Sequence, residues 1–307
     1  MNRSPVKGKI LVIRGGAIGD FILTLPAIAA LRQQFPDAQL EVLGYPHIAQ
    51  LALAGSLVDR VQPIEARALA GFFARNGELS EDLRDYFSEF NIVVSYLFDP
   101  DEVFQTNVLR CLRGQFIAGP HRPDESQRIH ATEVYLKPLE RLAIFAADPI
   151  PRLTVHAAHH KQRTLALHPG SGSELKNWPN SKWVQLLPQL IESTPLNLLI
   201  VGGEAEAQRL DQLAKLVPAD RGAIARNLPL PELAGRLQSC RAFVGHDSGI
   251  THLAAAVGVP TTVLWPHTNE AIWRPQGDHV KVLRNKNGLQ QLTVEAVLDE
   301  LRRLLPL

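Results

Sequence analysis

Short, continuous apolar runs alternate with longer amphipathic segments along most of the chain. Continuous rather than alternating apolar runs are typical of strands that are covered on both faces in a parallel sheet. We predict strands at residues 9–13, 40–43, 60–64, 92–97, 116–118, 165–167, 196–201, 223–225, 242–244, 261–264 and 280–283. We predict helices on an apolar segment that ends at Gln34 and at residues 80–90, 132–145, 182–192, 205–216, 230–238, 250–257 and 293–304. The alternation predicts the α/β fold class.

The regular alternation is interrupted once, at residues 148–163 (DPIPRLTVHAAHHKQR), which are rich in proline, histidine and charge. A length of 307 residues corresponds to about two domains at roughly 150 residues each. We therefore predict two doubly wound domains, residues 1–150 and 151–307, rather than one continuous sheet. The last predicted helix, residues 293–304, could pack on either domain.

Composition and charge exclude several classes of protein. With 45% hydrophobic and 21% charged residues, the chain is not disordered. A net charge of +1 excludes a global field that draws the protein to nucleic acid. The two cysteines exclude a disulfide scaffold and a Cys-rich zinc site. Because no apolar run reaches about 18 residues and the first apolar run reads as a strand, we expect a cytoplasmic protein.

Charge differs between the two halves. Residues 1–150 contain 15 Lys and Arg against 18 Asp and Glu, and residues 151–307 contain 17 against 13. The second half is therefore the more positive one and suits an anionic ligand.

The turns that follow the strands are the places to look for function, because ligands of open α/β sheets bind at the carboxyl ends of strands. The first turn, residues 14–20 (RGGAIGD), resembles a dinucleotide-binding fingerprint. Arg14 stands where that fingerprint needs its first glycine, and the second strand ends at Gly44 and Tyr45 without an acidic residue. Nicotinamide binding is therefore disfavoured.

Asp20 is the chemically interesting residue of the first turn. It can cap the following helix through its carboxylate. Pro26 would then lie inside that helix and remove a hydrogen bond. A helix that starts at Thr24 explains Pro26 equally well and leaves Asp20 free on a loop with Gly16 and Gly19. Local sequence leaves the capping and the functional interpretation open.

The second turn, residues 167–179 (LHPGSGSELKNWP), combines small residues, hydroxyls and a lysine. These groups suit a phosphate, because the backbone can approach closely and Ser171 and Lys176 supply donors and charge. The turn is not a Walker A loop, since no glycine precedes Lys176 directly. As a loop lysine beside glycines, Lys176 is expected to add little to folding. A plain surface loop is the alternative.

The third turn, residues 244–256 (VGHDSGITHLAAA), leads from a strand into an Ala-rich helix. The backbone N–H groups and the dipole at such a helix start suit a pyrophosphate. Ser248 is displaced by one position from the serine of a nucleophile elbow, which disfavours a hydrolase. His246, Asp247 and His252 do not follow a known metal-ligand spacing.

Two acidic segments add candidate residues. Glu204 and Glu206 follow a predicted strand, where a carboxylate can accept hydrogen bonds from ribose hydroxyls, or they are solvated residues of a first helical turn. Residues 99–101 (DPD) match the Asp-x-Asp pattern that binds a divalent cation in one class of glycosyltransferases. Asp99 as an N-cap with Pro100 at the first helical position explains the same residues.

Together these segments resemble glycosyltransferase family 9, the heptosyltransferases of lipopolysaccharide core assembly. Residues 15–28 (GGAIGDFILTLPAI) are similar to the N-terminal motif of that family, and residues 168–179 to its Pro-Gly-small…Lys-x-Trp-Pro segment. Residues 243–260 (FVGHDSGITHLAAAVGVP) are close to its strongest signature, and residues 268–277 match a looser one. These matches follow the order of the family and span nearly the whole chain.

The resemblance implies a GT-B architecture, in which two Rossmann-like domains face each other across a cleft, with the acceptor on the first and the nucleotide sugar on the second. It implies inverting, metal-independent transfer, with Asp20 as the general base and Gly16 and Gly19 in the acceptor-side loop. The implied donor contacts are Ser171, Lys176, Glu204 or Glu206, Asp247, Ser248, Gly249, Thr251 and His252. Residues 95–101 (SYLFDPD) lack the Asp-x-x-Gly pattern common in the family, which leaves the acceptor open.

The resemblance further implies a nucleotide-sugar donor, with ADP-heptose as the family default, and no cofactor or metal. The implied acceptor is a glycan or a lipid-linked oligosaccharide, and contact with the inner face of the cytoplasmic membrane is compatible with it. Two alternatives stay open. One is a nucleotide-sugar 2-epimerase, for which only the linker residues His156, His159 and His160 offer candidate histidines. The other is a non-catalytic relative that binds a nucleotide or glycan.

Overall fold

The computed structural model describes residues 8–155 and 163–305. The chain divides into two compact units, Met1–Pro149 and Ile150–Leu307. His156, His159 and His160 lie outside the described residues. Each unit is built around its own parallel sheet.

The first unit contains a five-stranded sheet within residues 8–149, with the strand order β3-β2-β1-β4-β5. Its strands are β1 (Lys9–Arg14), β2 (Gln39–Gly44), β3 (Arg60–Pro63), β4 (Ile92–Ser95) and β5 (Gln115–Ala118). Its α-helices are α1 (Ile18–Gln34), α2 (Pro46–Ala54), α3 (Glu81–Ser88), α4 (Val103–Leu109) and α5 (Ala131–Leu136), with 3₁₀ turns at Arg67–Phe73 and Lys137–Leu142. All neighbouring strands are parallel.

The second unit contains a six-stranded sheet in its described part, with the order β11-β10-β9-β6-β7-β8. Its strands are β6 (Thr164–His168), β7 (Asn197–Gly202), β8 (Gly222–Arg226), β9 (Ala242–His246), β10 (Thr261–Leu264) and β11 (Val280–Leu283). Its α-helices are α6 (Asn180–Ser193), α7 (Ala207–Ala214), α8 (Leu230–Gln238), α9 (Gly249–Ala256), α10 (Glu270–Trp273) and α11 (Val294–Leu304), with 3₁₀ turns at Glu174–Lys176, Glu204–Glu206 and Leu289–Gln291.

The predicted α/β class is confirmed, and each of the predicted strands is present within a few residues of its predicted bounds. Both strand orders are those of doubly wound Rossmann-like sheets. The helices α2, α4 and α10, which have nine, seven and four residues, were not predicted from the sequence. The helices α4 and α10 contain too few turns for an apolar periodicity to emerge.

Apolar side chains on both faces hold the sheets in place. Residues Ile10 to Ile13 of β1 are almost completely buried, as the continuous apolar run predicts. In the second unit, Val297, Leu298 and Leu301 of α11 belong to the same apolar cluster as the buried residues of α6. The last helix therefore packs within the second unit. None of the helices in the described part of the chain is long and apolar enough to cross a bilayer.

Candidate functional site

Each sheet has one point where the strand order reverses. In the first unit this switch point lies between β1 and β4, and in the second unit it lies between β6 and β9. Crevices outside the carboxyl ends of such strand pairs are where open α/β sheets bind ligands. The turns singled out from the sequence follow β1, β6 and β9, so the fold places each of them at a switch point.

The turn after β9 presents the start of α9 at the carboxyl edge of the second sheet. Ser248 caps this helix: its hydroxyl oxygen accepts the backbone N–H of Thr251 at 3.3 Å. The Ser248 hydroxyl also lies 3.3 Å from Nδ1 of His168, the last residue of β6. The Thr251 hydroxyl donates to the carbonyl of His246. These bonds fix a helix N-terminus, with its positive dipole end, beside the turn after β6.

Lys176 and Asp247 join the two turns directly. The ammonium Nζ of Lys176 lies 2.8 Å from Oδ2 of Asp247, and the Thr268 hydroxyl donates to the same oxygen at 2.9 Å. The Asp247 side chain is only 8% exposed, whereas that of Lys176 is 37% exposed. The expectation that Lys176 adds little to folding did not include this contact, in which its ammonium neutralises a nearly buried carboxylate. Its partial exposure leaves the ammonium accessible to an anion.

Buried side chains anchor the loop that carries Lys176. The backbone N–H of Trp178 donates to Nε2 of His246 at 2.9 Å, and its indole N–H donates to the carbonyl of Leu292 at 2.9 Å. Within the loop, the Ser171 hydroxyl lies 2.7 Å from Oδ1 of Asn177. Trp178 is completely buried. The buried Trp178 therefore fixes the end of the loop that starts after β6. The small residues of the loop connect these two fixed points.

The two glutamates after β7 differ in their surroundings. The carboxylate of Glu206 accepts the backbone N–H of Gly203 at 2.9 Å. The Glu206 side chain also packs against Gly170, where an added Cβ would come within 2.2 Å of it. Glu204 is exposed on the first position of the 3₁₀ turn. Only Glu206 is thus shown to contact the loop after β6.

Two buried histidines lie behind the second-unit site, and neither is charged near neutral pH. Burial lowers the pKa of His246 to about 3 and that of His168 to about 4, the latter against the opposing charge of Glu206. Because Nε2 of His246 accepts the Trp178 N–H, its Nδ1 carries the proton and donates to the carbonyl of Gly170 at 3.2 Å. His246 is therefore a structural residue.

These two histidines make stability depend on pH in a defined direction. Their pKa values are lower in the folded chain than the usual 6.5, so the unfolded chain binds more protons below that pH. We expect the free energy of unfolding to fall between pH 7.5 and pH 5, by about 2 kcal/mol for each histidine. Urea unfolding at the two pH values measures this difference.

The matched control uses an exposed histidine. His47→Asn should keep the pH dependence of the unmodified chain, whereas His168→Gln should reduce it by about half, whatever its absolute stability. An identical pH dependence in all three proteins would show that the buried histidines do not bind extra protons on unfolding.

In the first unit, Asp20 lies in the first turn of α1. Gly16, two residues after the end of β1, adopts a positive φ of 100° and turns the chain there. The helix α1 then begins at Ile18. Both helix starts considered from the sequence, at Asp20 and at Thr24, are therefore wrong, and Pro26 lies inside the helix. Oδ2 of Asp20 accepts the backbone N–H of Ala17 at 3.0 Å.

Asp20 combines a capping role with accessibility. Its side chain remains 35% exposed although Oδ2 is engaged. A side chain at Gly16 would be forced against it, since an added Cβ would lie 3.0 Å from Oδ2. Gly19 is half-buried in the same helical turn. Asp20 therefore caps the helix and also keeps an accessible carboxylate.

Arg14 is the residue of this site that the sequence analysis did not recognise. Its guanidinium is buried, and Nη2 lies 3.9 Å from Oδ1 of Asp20 and donates to the Asp20 carbonyl at 3.3 Å. Nη1 donates to the carbonyls of Tyr96 at 3.2 Å and His121 at 2.9 Å. The guanidinium also lies 4.6 Å from the ring centre of Tyr135. The only sequence signal was an arginine at the end of an otherwise apolar strand.

The Asp-x-Asp segment is used within the fold. The carboxylate of Asp99 accepts the N–H groups of Phe104 at 3.1 Å and Gln105 at 2.9 Å, and Asp101 pairs with Arg75 at 3.2 Å. Asp99 therefore caps α4, although that helix begins at Val103 and not at Pro100. Within residues 8–155 and 163–305, no three His, Cys, Asp or Glu side chains form a group that could hold a metal ion.

The structure brings most of the implied donor residues of the second unit to one edge. Its switch point carries the implied contacts Ser171, Lys176, Asp247, Ser248, Gly249 and Thr251. His252 follows in α9 and is buried. Thr268, which holds Asp247, was matched in the sequence only as part of a loose pattern. Its contact joins residues 21 positions apart, and local sequence carries no signal for that distance.

Both a family model and a curated relative relate this chain to heptosyltransferases. The model of glycosyltransferase family 9 (heptosyltransferase) matches residues 134–300, more than half of the chain. The chain is 23% identical to lipopolysaccharide heptosyltransferase 3 of Escherichia coli K12, over 94% of this chain and 95% of that protein.

Solved structures show the same fold. The E. coli heptosyltransferase WaaC with ADP superposes with a TM-score of 0.77 at 19% identity, covering 97% of this chain and 100% of that one. The E. coli ADP-heptose heptosyltransferase II gives a TM-score of 0.76 at 18% identity, covering 96% and 98%. The two parallel-sheet units therefore have the GT-B fold of these enzymes.

Proposed function

The chain belongs to glycosyltransferase family 9, and from this premise we propose that it transfers heptose from ADP-heptose to a lipopolysaccharide-core acceptor, with inversion and without a metal. As a member of that family it is a heptosyltransferase-like glycosyltransferase. The proposal concerns the donor, the acceptor, the stereochemistry and the residues that carry the reaction. An acceptor that is anchored in lipid would place the reaction at the inner face of the cytoplasmic membrane.

One observation carries the proposal: Lys176, Asp247 and the start of α9 meet at the switch point of the second sheet. The ammonium of Lys176 and the backbone N–H groups at Ser248 and Gly249 provide preorganised positive potential. A departing diphosphate needs such potential in the transition state. Since protein groups supply it, the reaction does not require a divalent cation.

We assign the remaining donor contacts to the same carboxyl edge of the second sheet. Ser171 and Thr251 supply hydroxyl donors, and His252 lies one residue further along α9. For the ribose we favour Glu206 over Glu204, because Glu206 is fixed against Gly170 by its bond to Gly203. Its second carboxylate oxygen can then accept a ribose hydroxyl.

Asp20 is proposed as the general base. The acceptor oxygen forms the new bond to the anomeric carbon while the bond from that carbon to the phosphate oxygen breaks. The electron pair leaves with ADP, and the hydroxyl proton moves to the Asp20 carboxylate. The Ala17 N–H occupies Oδ2, so Oδ1 is the atom available for this proton. Attack from the face opposite ADP inverts the configuration.

Transfer can be tested with ADP-heptose and a deacylated lipopolysaccharide-core oligosaccharide. We expect ADP release that depends on the acceptor, an inverted anomeric centre by NMR, and an unchanged rate with EDTA. ADP should raise the melting temperature more than UDP does.

Loss of activity with EDTA that Mg²⁺ or Mn²⁺ restores would contradict metal independence. A donor epimer formed without acceptor would favour the epimerase, and ADP binding without turnover would favour a non-catalytic relative.

A further inference from the structure

Two exposed aromatic rings stand at the carboxyl edge of the first sheet. Phe98 follows the end of β4 by three residues, and His121 follows the end of β5 by three residues. The two strands are parallel neighbours with Ser95 opposite Ala118. The ring centres of Phe98 and His121 are 4.5 Å apart, with an angle of 59° between the planes. The fold thus places both rings on the edge that carries Asp20.

The Phe98 ring is presented to solvent by a fixed backbone. Its side chain is 70% exposed. The next residue, Asp99, accepts two backbone N–H groups at the start of α4. On the other side, the Ser95 hydroxyl accepts the N–H of Leu97. The Phe98 ring therefore lies outside the core on a backbone that is anchored on both sides.

Arg14 links this pair of rings to Asp20. Its guanidinium donates to the carbonyl of His121 at 2.9 Å and to the carbonyl of Asp20 at 3.3 Å. The Tyr135 hydroxyl also lies 3.4 Å from the His121 carbonyl. Because Arg14 is buried, the backbone of the His121 segment is held at a set distance from the turn that carries the carboxylate. A ligand that contacts the rings would therefore be held at a set distance from the Asp20 carboxylate.

From this geometry we propose that Phe98, with His121 beside it, is a stacking platform for a pyranose ring of the acceptor. One face of a pyranose presents C–H groups, which suit the negative face of an aromatic ring. The inference rests on the proposed function, since it assigns the acceptor to the first unit. Phe98 also lies in residues 95–101, the segment in which this chain departs from the pattern of its family. We therefore expect the platform to influence which acceptor this chain binds.

Binding of the deacylated core oligosaccharide, measured by NMR titration without donor, tests the platform independently of transfer. Phe98→Ala should weaken binding about 3- to 10-fold, a range that takes the interaction energy of an aromatic pair as the guide. Phe98→Tyr should retain the affinity, and Phe98→Leu should lose it as Ala does. ADP affinity should not change in any of these variants. Phe145→Ala is the matched control, because Phe145 is 74% exposed and lies outside the strand-end segments.

Three results would overturn the platform: no binding of the oligosaccharide, equal binding by Phe98→Ala, or full affinity in Phe98→Leu. If Phe98→Ala binds the free oligosaccharide normally but associates less with vesicles of anionic phospholipid, the ring is a membrane contact instead. Failure of the proposed function gives a different pattern, in which the oligosaccharide binds through Phe98 but no sugar is transferred.

Discussion

Asp20→Asn is expected to lower kcat by about 10²- to 10⁴-fold, the usual contribution of a general base. The amide keeps the size of the carboxylate and an oxygen that can accept the Ala17 N–H, so α1 should remain capped. It cannot take a proton from the acceptor hydroxyl. ADP affinity and the melting temperature should therefore barely change while turnover collapses. Steady-state kinetics, calorimetry and thermal unfolding of the same preparation measure the three quantities.

Asp20→Ala separates the two roles of this carboxylate. Turnover should fall as in the Asn variant, and stability should fall by a further ~1 kcal/mol because the Ala17 N–H loses its acceptor. An Asn variant with nearly normal turnover would make Asp20 a capping residue only, and the base would have to be another group.

Lys176→Ala is expected to weaken ADP binding by about 1.5–3 kcal/mol, the range for a hydrogen bond to a charged group. That range corresponds to roughly a 10- to 150-fold increase in Kd. The structure adds a second effect, because Asp247 would lose its cation while its side chain is only 8% exposed. We therefore also expect a lower melting temperature. Calorimetric titration with ADP, below the melting transition, isolates the effect on affinity.

Two further variants identify the cause of a weaker affinity. Lys215→Ala removes one positive charge from an exposed position of the same unit and should leave ADP affinity unchanged. Double replacement of Lys176 by Ala and Asp247 by Asn removes the uncompensated charge and should recover part of the stability but not the affinity. Unchanged ADP affinity in Lys176→Ala would remove this lysine from the donor site.

Much of the fold follows from the local sequence. A strand buried on both faces must be continuously apolar, so runs such as residues 9–13 identify themselves without tertiary information. The turns after β1, β6 and β9 are also recognisable, because glycines, hydroxyls and an acidic residue gather directly after apolar strands. Short helices such as α4 leave no comparable pattern, and the Glu102 that precedes it has a left-handed φ of 54°.

The sequence by itself determined the fold class, the strands and the turns that carry candidate chemistry, because each depends on residues close together in the chain. The tertiary structure alone decided which side chains meet. Lys176 reaches Asp247 across 71 positions, and Arg14 reaches His121 across 107. The first contact exists because strand order makes neighbours of β6 and β9, and the second because β4 alone separates β1 from β5 in the first sheet. Strand order is set by the packing of whole elements, which local periodicity does not encode.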